Sequence, residues 1–237
     1  MLITTRKKII AFMMFYLFMT QAEANLINFS SVLLTLTSQE PMAVLEVRNL
    51  SDDKVVMQAD TVAWSQEANE MVTSPTEDVL VSPPIFELEG KHTQLLRIAW
   101  LKDQPLASQL TYRILLREIS DAAPMLSQQK GLKINLLVSI PIFIQPMEQK
   151  PAFRWRVESV DKNNIKINFD NLGNMVFHVA QIDLLSNHHK VISHKTFAYI
   201  LPKHTYTWTF KVNKNDFNHL EAIVNGERKM QHIQDFN

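Results

Sequence analysis

Apolar and polar residues alternate with period two through most of the chain. Over 205–212, Tyr206, Trp208, Phe210 and Val212 share one face, and Thr205, Thr207, Thr209 and Lys211 the other. That spacing belongs to a half-buried strand. Ala43, Leu45 and Val47 alternate with Glu46 and Arg48 in the same way, and Ile165, Ile167 and Phe169 with Asn164, Lys166 and Asn168. Further apolar runs at 26–36, 54–64, 92–101, 109–119, 132–145, 174–185 and 219–225 are separated by turn-rich clusters such as Ser51-Asp52-Asp53 and Ser186-Asn187. Asn225-Gly226 predicts a two-residue hairpin turn, because both residues tolerate positive φ. No long helical stripe interrupts the series. Many short strands at this spacing predict β-sandwiches.

One run ends at Gln145-Pro146, and the polar, proline-flanked Met147-Glu148-Gln149-Lys150-Pro151 precedes the next, Phe153-Arg154-Trp155. Proline cannot extend a ladder and holds the residue before it extended. A linker at 147–151 is therefore expected between domains at 25–146 and 152–237. These lengths suit one immunoglobulin-like sandwich each, giving an all-β chain of two such domains.

The first residues predict export. Arg6, Lys7 and Lys8 precede the apolar run at 9–19, and Ala22-Glu23-Ala24 supplies small residues at a cleavage site. Residues 1–24 read as a signal peptide, since that run is shorter than the ~20 residues needed to span a bilayer. Its removal takes three basic residues and one acidic residue from the 24 of each sign, leaving 21 against 23 and a formal charge of −2. Near-neutrality argues against nucleic-acid binding. No transmembrane segment is expected in the mature chain. With no cysteine, thiol chemistry and disulfides are excluded, and four widely spaced glycines exclude a phosphate-cradling loop.

Candidate chemistry is thin. Seven of eight histidines follow residue 177, including His188-His189. Adjacent strand residues point to opposite faces, so a shared metal ion is disfavoured. No nucleophile-elbow pattern occurs around Ser120-Asp121 or elsewhere. No enzyme, metal or cofactor is expected. Glu118 continues the apolar row of Tyr112, Ile114 and Leu116, and Arg97 follows Leu95 on its strand. A carboxylate on such a face calls for a partner, which a guanidinium fork fits, unless both side chains sit at strand ends and reach solvent. Ser82-Pro83-Pro84 forms a rigid extended corner. In 132–145, Leu132, Ile134, Leu136, Val138, Ile140, Ile142 and Ile144 form seven consecutive apolar positions at period two. Such a strand exceeds the usual ~5–6 residues and would reach beyond one sandwich. Either its own sheets cover the whole row, or part of the row is free to serve another protein.

In these residues the chain resembles the PapD-like periplasmic pilus chaperones of the chaperone–usher pathway. Val81-Ser82-Pro83-Pro84-Ile85-Phe86-Glu87-Leu88 with Gln94-Leu95-Leu96-Arg97-Ile98 is similar to the family's proline-pair strand and its arginine element. Tyr112-Arg113-Ile114-Leu115-Leu116-Arg117-Glu118-Ile119 and Ser139-Ile140-Pro141-Ile142-Phe143 are similar to its next two strands. Asn171-Leu172-Gly173-Asn174, Leu201-Pro202 and Asn215-Asp216-Phe217 match weaker landmarks in the second half. The resemblance implies two immunoglobulin-like domains in an L shape, with Arg97, Glu118 and Asp216 as an interdomain charge network. It implies donor residues Leu132, Ile134, Leu136, Val138 and Ile140, which enter the open groove of an incomplete subunit.

The family's basic pair for the subunit's C-terminal carboxylate aligns with Leu33 and Ser139, which carry no charge. Ser139-Ile140-Pro141-Ile142-Phe143 looks more like the divergent branch that serves archaic and spore-coat-U-type pili. Arg97, Arg113, Lys130 and Lys133 are the replacement anchors on offer. The function implied is a non-enzymatic periplasmic chaperone that binds, folds and caps pilus-like subunits and delivers them to an outer-membrane usher. Self-association through the free apolar edge is a further expected partner mode. The alternatives are an exported immunoglobulin-like adhesin or pilus structural protein, and a secreted hydrolase or metal binder using the histidine-rich half.

Overall fold

The computed structural model describes residues 27–102, 104–119, 136–187 and 189–232. Ten strands form the first half: β1 (Ile27–Phe29), β2 (Leu34–Thr37), β3 (Met42–Asn49), β4 (Val55–Glu67), β5 (Glu70–Pro75), β6 (Val79–Ser82), β7 (Ile85–Leu88), β8 (Thr93–Trp100), β9 (Leu110–Glu118) and β10 (Leu137–Gln145). Seven form the second: β11 (Phe153–Ser159), β12 (Ile165–Asn171), β13 (Phe177–Ser186), β14 (His189–Ile200), β15 (Thr205–Phe210), β16 (His219–Val224) and β17 (Glu227–His232). One 3-10 turn, Lys214–Asp216, is the sole helical element among the described residues.

Two sheets of order β1-β3-β8-β6 and β2-β10-β9-β4-β5, with β7 also on β4, face each other in the first half. Leu45, Val47, Leu96 and Ile98 from one meet Met57, Ile114, Leu116, Ile142 and Ile144 from the other in a dry core. In the second half β11-β12-β15 packs on β14-β13-β16-β17 around Trp155, Ile167, Phe169, Ile182, Leu184 and Leu220. Phe169 stacks on Phe153 at 4.9 Å and meets the ring of Trp155 edge-on at 4.8 Å. Burying each such side chain contributes about 1.5–3 kcal/mol. The fold is all-β, with two immunoglobulin-like sandwiches.

Local chemistry explains the connections. The single run expected at 26–36 divides into β1, which pairs with β3, and β2, which pairs with β10, as the chain crosses between sheets at 30–33. Asn225 and Gly226 take φ values of 51° and 80° and join β16 to β17 with Val224 opposite Glu227. The Ser82–Pro83 peptide is cis. Gly173 lies so close to the segment before β11 that a Cβ would stand 2.4 Å from the Lys150 carbonyl oxygen. No larger residue fits there without moving that backbone.

Candidate functional site

The long apolar row is where the first sandwich opens. β9 borders β10 over 137–144, whereas parallel β2 borders its other side only from Ile142 to Gln145. No described strand pairs with 137–141 on that side, which leaves a short stretch of open strand edge. Side-chain exposure follows the same division. Ile144, Ile142 and Ile140 are 0%, 0% and 2% exposed, while Val138 and Leu136 are half-buried. The row leaves the sandwich because the facing row on β9 ends: Leu116, opposite Val138, is fully buried, and Glu118 follows it. On the outer row Leu137 is 63% exposed and Ser139 is exposed. Ile140, expected as a donor, belongs to this chain's own core and cannot fill a partner's pocket, so that expectation is corrected. Leu132 and Ile134 lie outside the described residues.

The charge network expected from Arg97, Glu118 and Asp216 does not assemble. On β8 it is Leu96, Ile98 and Trp100 that face inward, and Leu95 and Arg97 face outward. Arg97 sits between Val44 and Ser82 on the outer face of the β1-β3-β8-β6 sheet, beside exposed Met42 and Leu80. Glu118 ends the inward row of the opposite sheet, half-buried, as the alternation predicts. Asp216 is exposed in the 3-10 turn of the second half. The three occupy different faces.

Neutral amides join the halves instead. Gln109 and Gln66 are 7% and 4% exposed. The Val176 N–H donates to Gln109 Oε1 at 2.7 Å, and the Leu201 N–H to Gln66 Oε1 at 3.0 Å. At the β4–β5 tip, Asn69 Nδ2 donates to the Thr207 carbonyl at 2.7 Å, and the Thr207 N–H returns a bond to Asn69 Oδ1 at 3.0 Å. Asn174 donates to the carbonyls of Ala107 and Glu148 and accepts from the Lys150 N–H, which pins the segment between β10 and β11. Trp64, Phe143, Val176 and Leu201 form a separate buried cluster with Tyr199 packed on it. Sequence reasoning missed these residues because a lone Gln or Asn has no periodic or charge signature. Gln109→Ala leaves a buried N–H unpaired and is expected to cost roughly 1 kcal/mol in urea unfolding. The loss should be the same at low and high salt, since no ion pair is involved.

Arg113 projects from the outer row of β9, one strand in from the open edge of β10. Its guanidinium lies 4.0 Å from the centre of the Trp64 ring, and Nη1 donates to Ser139 Oγ at 2.9 Å. Nη2 reaches Met71 Sδ at 3.9 Å. Desolvation pulls its pKa down, with Tyr199 opposing, yet an arginine stays cationic at neutral pH. Its packing against neutral groups leaves a positive charge where the cleft between the halves begins. Of the other expected anchors, Arg97 faces away on the opposite sheet, and Lys130 and Lys133 lie outside the described residues.

Residues 26–150 match the family model for pili and flagellar-assembly chaperones, PapD N-terminal domain. The chain belongs to this family. Solved structures agree on the fold over both halves. The CsuC–CsuE chaperone–tip adhesion subunit pre-assembly complex of Acinetobacter baumannii contains a chain similar at TM-score 0.67 and 14% identity, covering 87% of this chain and 97% of that one. The structure of Salmonella enterica SafA pilin with the SafB chaperone gives TM-score 0.62 and 15% identity, covering 89% and 98%. The Pseudomonas aeruginosa CupB2 chaperone gives 0.57 and 17%, covering 86% and 98%. None of the curated protein sequences compared with the chain matches it. A pilus-assembly chaperone acts by holding a protein rather than by catalysis. Among the described residues of this chaperone, no three His, Asp or Glu side chains gather to hold a metal ion, and no helix is long and apolar enough to cross a membrane. The expected signal peptide lies outside the described residues.

Proposed function

We propose that this chaperone captures pilus-like subunits in the periplasm by donor-strand complementation. The observation that carries the reading is the open edge at 137–141, where a core row at period two runs out of its own sandwich. An added strand gains backbone hydrogen bonds from such an edge, and the emerging side chains fill its pockets. Leu136 and Val138 begin the donor row, which Ile134 and Leu132 continue in the sequence. Arg113 with Ser139 then supplies the anchor for the subunit's C-terminal carboxylate, replacing a basic pair by one guanidinium and one hydroxyl. The signal peptide at 1–24 exports the chain, domains 25–146 and 152–237 flank the linker at 147–151, and the captured subunit passes to an outer-membrane usher. No cofactor enters. The pairing of SafA pilin with the SafB chaperone in a structure of similar fold supports this reading.

The test is co-expression of the tagged mature chain in a periplasm with small secreted β-rich subunits, followed by co-purification. A stoichiometric subunit that is degraded without the chaperone is expected. Losing a charge-assisted hydrogen bond of about 1.5–3 kcal/mol, Arg113→Ala should weaken capture roughly 10- to 100-fold. Subunit amidated at its C-terminus should bind Arg113→Ala and unaltered chaperone equally. Undiminished capture of free-carboxylate subunit by Arg113→Ala removes the anchor assignment.

A further inference from the structure

The geometry points to a selectivity pocket for the last side chain of the captured strand, one that accepts an aromatic residue and rejects a charged one. It rests on the capture reading above. A cavity of about 450 Å³ opens between the halves, walled by Leu33 and Thr35 beside β10, by Phe143, and by Val176, His178 and Tyr199 of the second half. The open edge of β10 stops where β2 begins at Leu34. A strand paired along 137–141 therefore runs end-on into Leu33, at the rim of the cavity. With its carboxylate at Arg113 and Ser139, that strand runs parallel to β10, as β2 already does on the same edge. Its final side chain, on the outer face, is the one nearest the opening.

The walls select by chemistry. Among the described residues no Asp, Glu, Lys or Arg lines the cavity, and its polar lining is neutral, including Gln109, Gln145, Gln149 and Asn225. His178 lies between the rings of Phe197 and Tyr199, at 4.6 and 4.7 Å, and its Nε2 is buried without a hydrogen-bond partner. Desolvation lowers its pKa, which keeps this wall neutral at neutral pH. A charge placed there would lose part of its water and meet neutral amides but no described counter-ion. Phe143 and Tyr199 already meet edge-on at 6.1 Å, and a third ring can add to that geometry. The volume lies in the range of ligand pockets, so a methyl group leaves it largely unfilled.

The probe is a set of labelled peptides, Val-Thr-Val-Thr-Val-Thr-Val-Xaa, each with a free carboxylate and Xaa being Phe, Tyr, Ala, Asp or Lys. Binding to the mature chain is followed by fluorescence anisotropy. Phe and Tyr peptides should bind at least tenfold tighter than the Ala peptide, with Asp and Lys weakest. Thr35 is exposed on β2, so Thr35→Trp can fill the cavity without repacking the core. It should abolish the preference for Phe over Ala, read as the ratio of the two affinities in the same variant. Arg113→Ala should weaken every peptide by the same factor. Equal, Arg113-dependent binding of Phe and Ala peptides overturns the pocket alone. A preference that survives Thr35→Trp also overturns it. Failure of every peptide to bind, or binding indifferent to Arg113→Ala, overturns both the pocket and the capture geometry beneath it.

Discussion

Replacing Ile134 and Leu136 together by aspartate abolishes subunit capture and leaves the fold intact. The separation of the two effects follows from where the row leaves the sandwich. Ile140, Ile142 and Ile144 are held in the core at 2% exposure or less, whereas Leu136 is only half-buried. Each aliphatic side chain moved from water into a subunit groove contributes about 1.5–3 kcal/mol. Losing two therefore removes at least about 3 kcal/mol, more than 100-fold in affinity, before the added cost of burying carboxylates. Leu136 is not among the core residues of the first sandwich, so the urea midpoint should stay close to that of the unaltered chain. Ile142→Ala provides the contrast: a fully buried position loses about 2–5 kcal/mol of stability on truncation. Co-purification and urea unfolding of the two variants read the two quantities separately. A folded double variant that still captures subunits in normal yield rules out the donor row.

Much of this arrangement is legible in the chain, because period two survives wherever only one phase is apolar. Leu45 and Val47, Ile165, Ile167 and Phe169, and Trp208 and Phe210 all face inward as their alternation predicts. The same rule fails on β8, where Leu95-Leu96-Arg97-Ile98-Ala99-Trp100 is apolar in both phases and the inward set is the one without Arg97. Across 26–36 the inward phase slips from odd positions, Ile27 and Phe29, to even ones, Leu34 and Leu36, as the partner sheet changes, and hydropathy alone does not record which sheet a residue joins. The alternation of Tyr112, Ile114 and Leu116 does send Arg113 outward. What it meets there, the Trp64 ring and the Ser139 hydroxyl, depends on which strands become neighbours. The joint is the least legible part, since Gln66, Gln109, Asn69 and Asn174 act through single amides whose partners are backbone groups of distant segments.

The second half should lose stability in acid, through two carboxylates that its sheets hold ionised. Asp170, 5% exposed, accepts from Arg156 Nε at 2.7 Å and Nη2 at 2.9 Å, from Arg154 Nη2 at 3.2 Å and from Thr205 Oγ1 at 2.8 Å. The Arg156 bonds dominate and outweigh the opposing effect of burial, holding its pKa at about 2. For Asp183 burial raises the pKa, but bonds from Lys190, Ser193 and Gln181 outweigh it and leave the group below its ordinary value. A depressed folded-state pKa stabilises the fold fully above the unfolded value of about 3.9, and that contribution fades as pH falls towards 2. The shift at Asp170 sets a ceiling of roughly 2–3 kcal/mol. Arg154 and Arg156 are 59% and 40% exposed, so solvent screening reduces this to about 1–2 kcal/mol. Asp183 adds a loss of the same sign. Urea midpoints at pH 6, 4 and 2 should fall mainly in the last interval. Asp170→Asn should be less stable than the unaltered chain at pH 6 and nearly equal to it at pH 2. A difference that persists undiminished at pH 2 would assign the role of Asp170 to packing rather than to charge.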